Sequence, residues 1–341
     1  MMTPEGSAGF RRYVSRSARG RPANGAGDTR GPCRRKSRHT GRSHDLSVIV
    51  LAFGSVNHHI GAMLRCGIGF IGLVLPCAAF AQPLAVQQTA GVQPPLSLHA
   101  TYETYAAGIH VAEVESGFSF GPWNYQMSLG YRTTGMVGFF FRGHQFDRVD
   151  GAWHGLHAAP SGFLGQGNWR GVERLADIGY QQGKPVVRQL VPPNADEREP
   201  VPDSLQANAI DTLSALAELI HVVAETGRCE TSVRTYDGRR AVEIEAHTVG
   251  EDMLEATSRS SFAGKALHCD FSGRMLAGFK FDDDRARDGK PMHGSAWLAP
   301  VVAGSSPLPV RMTFETRWFG DAVMYLTGIG PGTGLKIAGG N

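Results

Sequence analysis

Across residues 98–327 turn chemistry cuts the chain into short segments of alternating polar and apolar residues, and one stretch alone breaks that rhythm. The clearest cut is Asp237-Gly238, a pair that supplies the positive φ angles of a type I′ turn. Residues 230–236 lead in and 240–247 lead out, with Val242, Ile244 and Ala246 on one face and Glu243, Glu245 and His247 on the other. Residues 101–106, 109–120 and 125–133 read as strands joined by Ala107-Gly108 and by Gly121-Pro122-Trp123-Asn124. Residues 170–181 and 185–191 flank a further hairpin at Gln182-Gly183-Lys184. Near the C-terminus Val310, Met312, Phe314 and Trp318 alternate with Arg311, Thr313, Glu315 and Arg317. One wet and one dry face per strand is the pattern of an antiparallel sheet.

The exception spans residues 211–225. After a Pro-rich loop over 191–202, Leu213, Leu216, Ala217, Ile220, Val223 and Ala224 recur at helical spacing, with Asp211 placed to cap the start and Gly227 to stop the end. A lone amphipathic helix among many strands has to bury its apolar stripe on the sheet, and a sheet curled around it also shelters its own edges. The expected fold is mainly β: a curled antiparallel sheet, barrel-like or spiral-like, wrapped around one central α-helix. It forms a single domain over 98–327, followed by a flexible tail over 328–341. Gly162, Gly165, Gly167 and Gly171 miss the dinucleotide-binding spacing and read as a loop.

The N-terminal part has a different character. Residues 1–62 carry ten Arg and one Lys against Glu5, Asp28 and Asp45, a net of +8, and almost no large aliphatic residues over 6–43. Such a segment cannot bury enough surface to offset its ordering entropy. At Met63 the sequence changes: Met63-Leu64-Arg65, an apolar run over 66–80, and Ala79-Phe80-Ala81 before Gln82. A positive start, a short apolar core and a small-x-small site describe a secretory signal peptide cleaved between Ala81 and Gln82. The fifteen-residue run is shorter than the ~20 residues of a membrane-spanning helix. The expected start is therefore Met63, with 1–62 as upstream sequence and 82–97, rich in Gln and Pro, as a flexible leader.

Cleavage there changes the arithmetic. The +3 of the whole chain becomes 22 Lys and Arg against 28 Asp and Glu, a net of −6, and the compositional case for nucleic-acid binding disappears. Cys33, Cys66 and Cys77 go as well, leaving Cys229 and Cys269. An even pair in an exported chain reads as a disulfide, with two separate buried thiols as the alternative. No zinc site is expected, because isolated cysteines without CxxC spacing make no ligand set.

The search for catalytic chemistry finds no G-x-S-x-G, H-E-x-x-H or Walker loop. His144, His154 and His157 are not fixed on one face and read as surface histidines. His221 and Glu225 stand four apart on the helix and can pair there. Asp282-Asp283-Asp284 lacks the spaced carboxylates of a calcium loop and reads as a solvated hairpin tip.

Several passages together carry a resemblance. They are Tyr102-Glu103-Thr104-Tyr105 with Gly108-Ile109; Tyr131-Arg132-Thr133-Thr134-Gly135; Pro192-Pro193, Glu197-Arg198-Glu199-Pro200-Val201-Pro202 and Asp211-Thr212-Leu213-Ser214-Ala215-Leu216. Cys229, Tyr236-Asp237-Gly238-Arg239-Arg240, Cys269 and Ala277-Gly278-Phe279 continue the series. In this order they resemble the exported bacterial family known as domain of unknown function 3108, over about 101–326. Thr212 stands where the family is expected to carry Pro, a swap that a first helical position tolerates. The resemblance implies a periplasmic β-rich protein without an assigned activity. It extends, on architecture alone, to envelope-integrity β-spiral proteins and half-barrel lipoprotein carriers.

Two functional readings follow. The first is a non-catalytic periplasmic protein with an envelope-maintenance role. The second is a periplasmic carrier that holds a lipid or other apolar ligand in a half-open barrel. For the carrier, Phe118, Phe120, Trp123, Phe139, Phe140 and Phe141 are the candidate lining, unless they fill the core. The loop Glu197-Arg198-Glu199 is either a partner-binding patch or a solvated lead-in to the helix. Neither reading needs a cofactor, a metal, a nucleic acid or a membrane span; the partner is an envelope component or the apolar ligand itself.

Overall fold

The computed structural model of the protein describes residues 96–316 and 320–335. Ala81, Gln82, the proposed signal segment, residues 1–62 and Trp318 lie outside the described residues. Thirteen strands make one antiparallel sheet among the described residues. The first half comprises β1 (Ser97–Ala106), β2 (Ile109–Phe120), β3 (Asn124–Thr133), α1 (Gly135–Phe140), β4 (Gly143–His154), β5 (His157–Trp169), β6 (Val172–Gln181) and β7 (Lys184–Val191). A connection bearing a short 3₁₀ turn (Asn194–Asp196) and α2 (Asp203–Gln206) leads to α3 (Thr212–Thr226). The second half holds β8 (Thr231–Tyr236), β9 (Ala241–Leu254), β10 (Gly264–Ala277), α4 (Arg285–Asp288), β11 (Met292–Pro300), β12 (Pro307–Thr316) and β13 (Gly320–Pro331).

The strand order is β7-β6-β5-β4-β3-β2-β1-β13-β12-β11-β10-β9-β8. Each half is thus a meander of hairpins, and the pairing of β1 with β13 joins them. The sheet curls until its two ends meet. Arg239, in the β8–β9 turn, donates from Nη2 to the carbonyl of Val191 at the end of β7 (2.7 Å), and a side chain at Gly238 would strike Leu190. The connection after β7 covers the remaining seam, where Ile210 bridges Thr235 of β8 in parallel. The result is a nearly closed antiparallel barrel. A closed sheet leaves little edge for another chain to pair with.

The α3 boundaries follow the sequence signals. The Asp211 carboxylate accepts the Ser214 N–H at 2.8 Å, and Gly227 takes the left-handed conformation (φ 69°) that ends the helix. Leu213, Ala217, Ile220 and Val223 are buried as their spacing predicts, while Ala224 is exposed and Val222 is buried instead. The helix packs on β3, β4 and β5 from one half of the sheet and on β8 and β12 from the other. Three further short helices, α1, α2 and α4, correct the expectation of a single helix. Residues 328–331, expected to open a flexible tail, instead continue β13, whose ladder with β1 runs through Pro331.

The largest correction concerns the glycines. Gly162, Gly165 and Gly167 lie inside β5, and the loop expected there is a strand. At Gly167 the neighbouring strand comes too close for a side chain. A Cβ on Gly167 would strike Gln145 of β4. The same device recurs at Gly151, where the Tyr125 ring would be 2.7 Å from an added Cβ, and at Gly294, where Phe271 would be 2.5 Å away. Glycine in a strand weakens it intrinsically but admits such close approach. Part of the chain's high glycine content is therefore packing, where loops were expected.

Candidate functional site

The strand directions put two sets of connections at opposite ends of the barrel. One rim carries the β1–β2 turn, α1, the β5–β6 turn, the β8–β9 turn and the α4 loop; the far rim carries the β2–β3, β4–β5 and β11–β12 turns. Helix α3 is fastened beneath the far rim. His221 stacks on Trp153 (ring centroids 4.1 Å apart) and its Nε2 lies 3.2 Å from the Gly155 carbonyl. The buried Glu218 accepts the Ala158 N–H at 2.7 Å. His221 therefore engages the β4–β5 turn, a correction of the expected pair with Glu225.

Toward the α1 rim the inner wall is less filled. Cys269, bonded to Cys229, marks the inward face of β10, so Phe271, Gly273 and Met275 follow it inward at two-residue spacing. The register continues that face across the neighbouring strands: Cys269, Ala296, Met312 and Met324 form one rung, and Phe271, Gly294, Phe314 and Ala322 the next. Met292 pairs with Gly273 beyond them. Phe271, Met275, Met292, Met312, Phe314 and Met324 are all only half-buried. Methionine is unbranched and polarizable, and suits a surface that repacks around different apolar shapes.

The opposite wall is polar. Tyr131, Gln145, Gly167 and Arg174 form its rung at the same level. Gln145 donates to Oδ1 of the fully buried Asp147 at 2.9 Å, and Oδ2 of Asp147 has no hydrogen-bond partner. Burial drives that carboxyl well above the usual range, and the charges of Asp211 and Asp237 add to the rise. Around the start of α3, Tyr125 and Ser214 share a hydrogen bond of 2.7 Å, and Ser214 Oγ donates to Asp211 at 2.6 Å. Burial pushes Asp211 up to about 6 despite these bonds.

At the seam between the sheet ends, residues from distant segments converge. Arg174 makes a paired contact with Glu197, and Arg239 Nη1 stands 3.6 Å from the same carboxylate. Arg198 donates to the Gly278 carbonyl at 2.9 Å, and Glu199 N–H to that of Phe279 at 2.9 Å. Gly278, at φ 82°, lies directly against the Arg239 backbone, an approach no other residue permits. Asp237 accepts the N–H groups of Arg239 and Arg240; burial would raise its carboxyl, but the Arg240 charge and these bonds hold it below its ordinary value. Burial and the nearby Arg240 bring Arg198 down to about 10. Glu197-Arg198-Glu199 is thus a structural clasp tied to Arg174, Arg239, Gly278 and Phe279, a correction of the expected solvated lead-in.

The six candidate lining residues are divided. Phe118 is buried in the core and Phe120 packs on it. Trp123 is 80% exposed in the β2–β3 turn, and Phe139 and Phe140 project from α1 at 82% and 65% exposure. These three do not line the interior. Phe141 is half-buried beneath Arg170. Their run has no alternation to send it inward, since it sits on a connection and not on a strand. Sequence reading missed the methionine wall because its methionines stand one to a strand on four strands, β10 to β13.

The remaining candidates are apart. His144 is exposed at the α1 end of β4, while His154 and His157 face each other at the far rim. Asp284 caps α4 and Asp283 accepts the Lys280 N–H, so the Asp run is a turn with local partners. No group of three or more metal-ligating side chains occurs among the described residues, and no helix there is long and apolar enough to cross a membrane.

These features define a nearly closed antiparallel β-barrel with half-buried apolar side chains on its inner wall toward one rim. The chain belongs to the family described as protein of unknown function DUF3108, whose model matches residues 101–327. No curated protein matches it. Among solved structures it is similar to a β-barrel-like protein of domain of unknown function DUF1849 from Brucella abortus, at 13% identity and a TM-score of 0.41, covering 70% of this chain and 98% of that one. A putative outer membrane lipoprotein-sorting protein domain from Vibrio parahaemolyticus is similar at 8% identity and a TM-score of 0.27, covering 74% of this chain and 92% of that one.

Proposed function

We propose that the chain is an exported, non-catalytic protein of the bacterial envelope that takes an apolar ligand against the inner wall at the α1 rim, with α3 as the post around which the sheet is wrapped. The half-buried row of Phe271, Met275, Met292, Met312, Phe314 and Met324 carries this reading. An inner wall of that composition loses contact energy unless something covers it. The Cys229–Cys269 bond favours an oxidising compartment, here the periplasm. The non-catalytic reading is supported by Ser214 and Asp211, which are both engaged in capping the helix.

Mass spectrometry of apolar extracts from the protein purified out of the periplasm tests the reading. A recurring lipid or other apolar compound is expected, and Met312→Glu combined with Phe314→Ser should lower its occupancy roughly tenfold or more, from the loss of two apolar contacts. Consistently empty protein, or unchanged occupancy in the variant, argues against carriage. In the same preparation the intact mass should correspond to a chain starting at Gln82; a species starting before Met63 contradicts the export reading. Deletion in the host should raise detergent sensitivity, and an unchanged response removes the envelope role.

A further inference from the structure

The α1 connection presents apolar side chains to solvent on a fixed support. Val137 packs down onto Ala106, Val111, Ala112 and Ala322, while Met136, Phe139 and Phe140 point away, at 69%, 82% and 65% exposure. Thr133 holds both ends of the connection: its hydroxyl donates to the Phe141 carbonyl at 2.9 Å and accepts the Gly143 N–H at 2.9 Å. The Phe139 and Phe140 rings meet edge to face at 5.1 Å, and Ile109, in the adjoining hairpin, is 53% exposed.

Basic side chains flank this tip. Arg142 and Arg170 are exposed and tied to each other through the backbone, Arg170 N–H to the Arg142 carbonyl at 2.9 Å. Neither has an ion-pair partner among the described residues, and the Arg170 guanidinium lies 5.4 Å from the Phe141 ring centre. Arg259 reaches the same hairpin, stacked 4.2 Å above Tyr105. Arg132 is held by Glu113, and Glu173 beside the β5–β6 turn is the nearest exposed acid in sequence to Arg170.

We infer that this tip is a membrane-docking element that inserts Met136, Phe139 and Phe140 into the surface of a bilayer while Arg142 and Arg170 meet anionic headgroups. Large apolar side chains flanked by cations match the boundary between acyl chains and acidic headgroups. Each Arg near such a surface adds to the attraction for acidic headgroups. The projection is also too small for a stable protein interface. Three such side chains expose at most about 500 Å², against the roughly 800 Å² per partner that a specific protein complex buries. Docking at this rim does not depend on the ligand proposed above.

The test is co-sedimentation of the purified full chain with vesicles of phosphatidylethanolamine and phosphatidylglycerol, beside vesicles of phosphatidylcholine alone. Binding to the anionic vesicles is expected, weakening as salt rises. Phe139→Ser with Phe140→Ser should weaken it roughly tenfold or more, and Arg142→Glu with Arg170→Glu should remove the preference for phosphatidylglycerol. All four positions are exposed, so the thermal midpoint should stay unchanged and separates docking from misfolding. The inference is overturned if anionic vesicles do not bind the protein or the Phe variant binds them equally well. It is also overturned if that variant instead abolishes a concentration-dependent dimer seen by sedimentation.

Discussion

Replacing Cys229 and Cys269 together by serine is expected to lower folding stability by about 4 kcal/mol, the value for a cross-link closing a loop of this length. The bond spans a sequence separation of 40 and joins the chain just after α3 to β10. Its location makes the loss local as well as large. β8 is the terminal strand of the sheet, with β9 as its one strand neighbour and the Ile210 bridge on its other side, so the bond reaches across β9 and fastens that end to the interior. Cys229 N–H donates to Thr248 on the intervening strand at 2.9 Å, and both sulfur-bearing residues are fully buried. Urea midpoints of the double variant and of wild type measured with reductant should coincide, both well below the oxidised protein. Hydrogen exchange should rise first in β8 and the second half of α3. A double variant within about 1 kcal/mol of wild type would mean the bond is not structural, because the chain-entropy value is several times larger.

Asp147→Asn is expected to stabilise the protein at alkaline pH and to do little in acid. Asp147 is fully buried and its carboxyl is raised well above the ordinary value, chiefly by desolvation. The native state therefore binds a proton that the unfolded chain releases. Stability is greatest where both are protonated and falls as pH climbs from the unfolded value toward the raised native one. Asn keeps the shape and removes the charge, so the gain is near zero at about pH 4 and of order 1–3 kcal/mol at about pH 8. Asp211 has the same sign over a narrower span, its native value near 6 against 3.8. Asp211→Asn should therefore flatten only the part of the curve between about pH 4 and 6. Urea midpoints across pH decide the matter: a constant difference between wild type and Asp147→Asn would show that the carboxylate does not titrate with folding.

The hairpins were legible because each is local. Gln182-Gly183 and Ala107-Gly108 carry their turn chemistry in adjacent residues and turn as read, both residues of each at positive φ. Asp237-Gly238 marks a hairpin as read, but only Gly238 takes a positive φ and the connection runs over four residues, 237–240, in place of the expected type I′ turn. Asp211 and Gly227 bracket the helix for the same reason. What escaped the sequence depends on register. Gly167 has no room for a side chain because Gln145, more than twenty positions away in sequence, lies over it. The methionine wall exists only once β10 to β13 are aligned, and the seam only once β7 is brought beside the β8–β9 turn. Phe139 and Phe140 misled because three consecutive aromatic residues look like buried material; the fold gives them a support, Val137 and Thr133, that faces them outward.

Nearly every ladder in the sheet joins neighbours in the chain, and the pairing of β1 with β13 is the exception. This has a kinetic consequence. As the chain lengthens, β1 can fold against β2 at once, but its other side stays an open template from Ala106 until Gly320 has been made. For most of synthesis the growing protein carries an unprotected strand edge of the kind that recruits other chains. The two meanders fold quickly on local contacts, and the slow step is the single closure between the first strand and the last. Truncation within β13 should therefore harm solubility more than its few residues suggest.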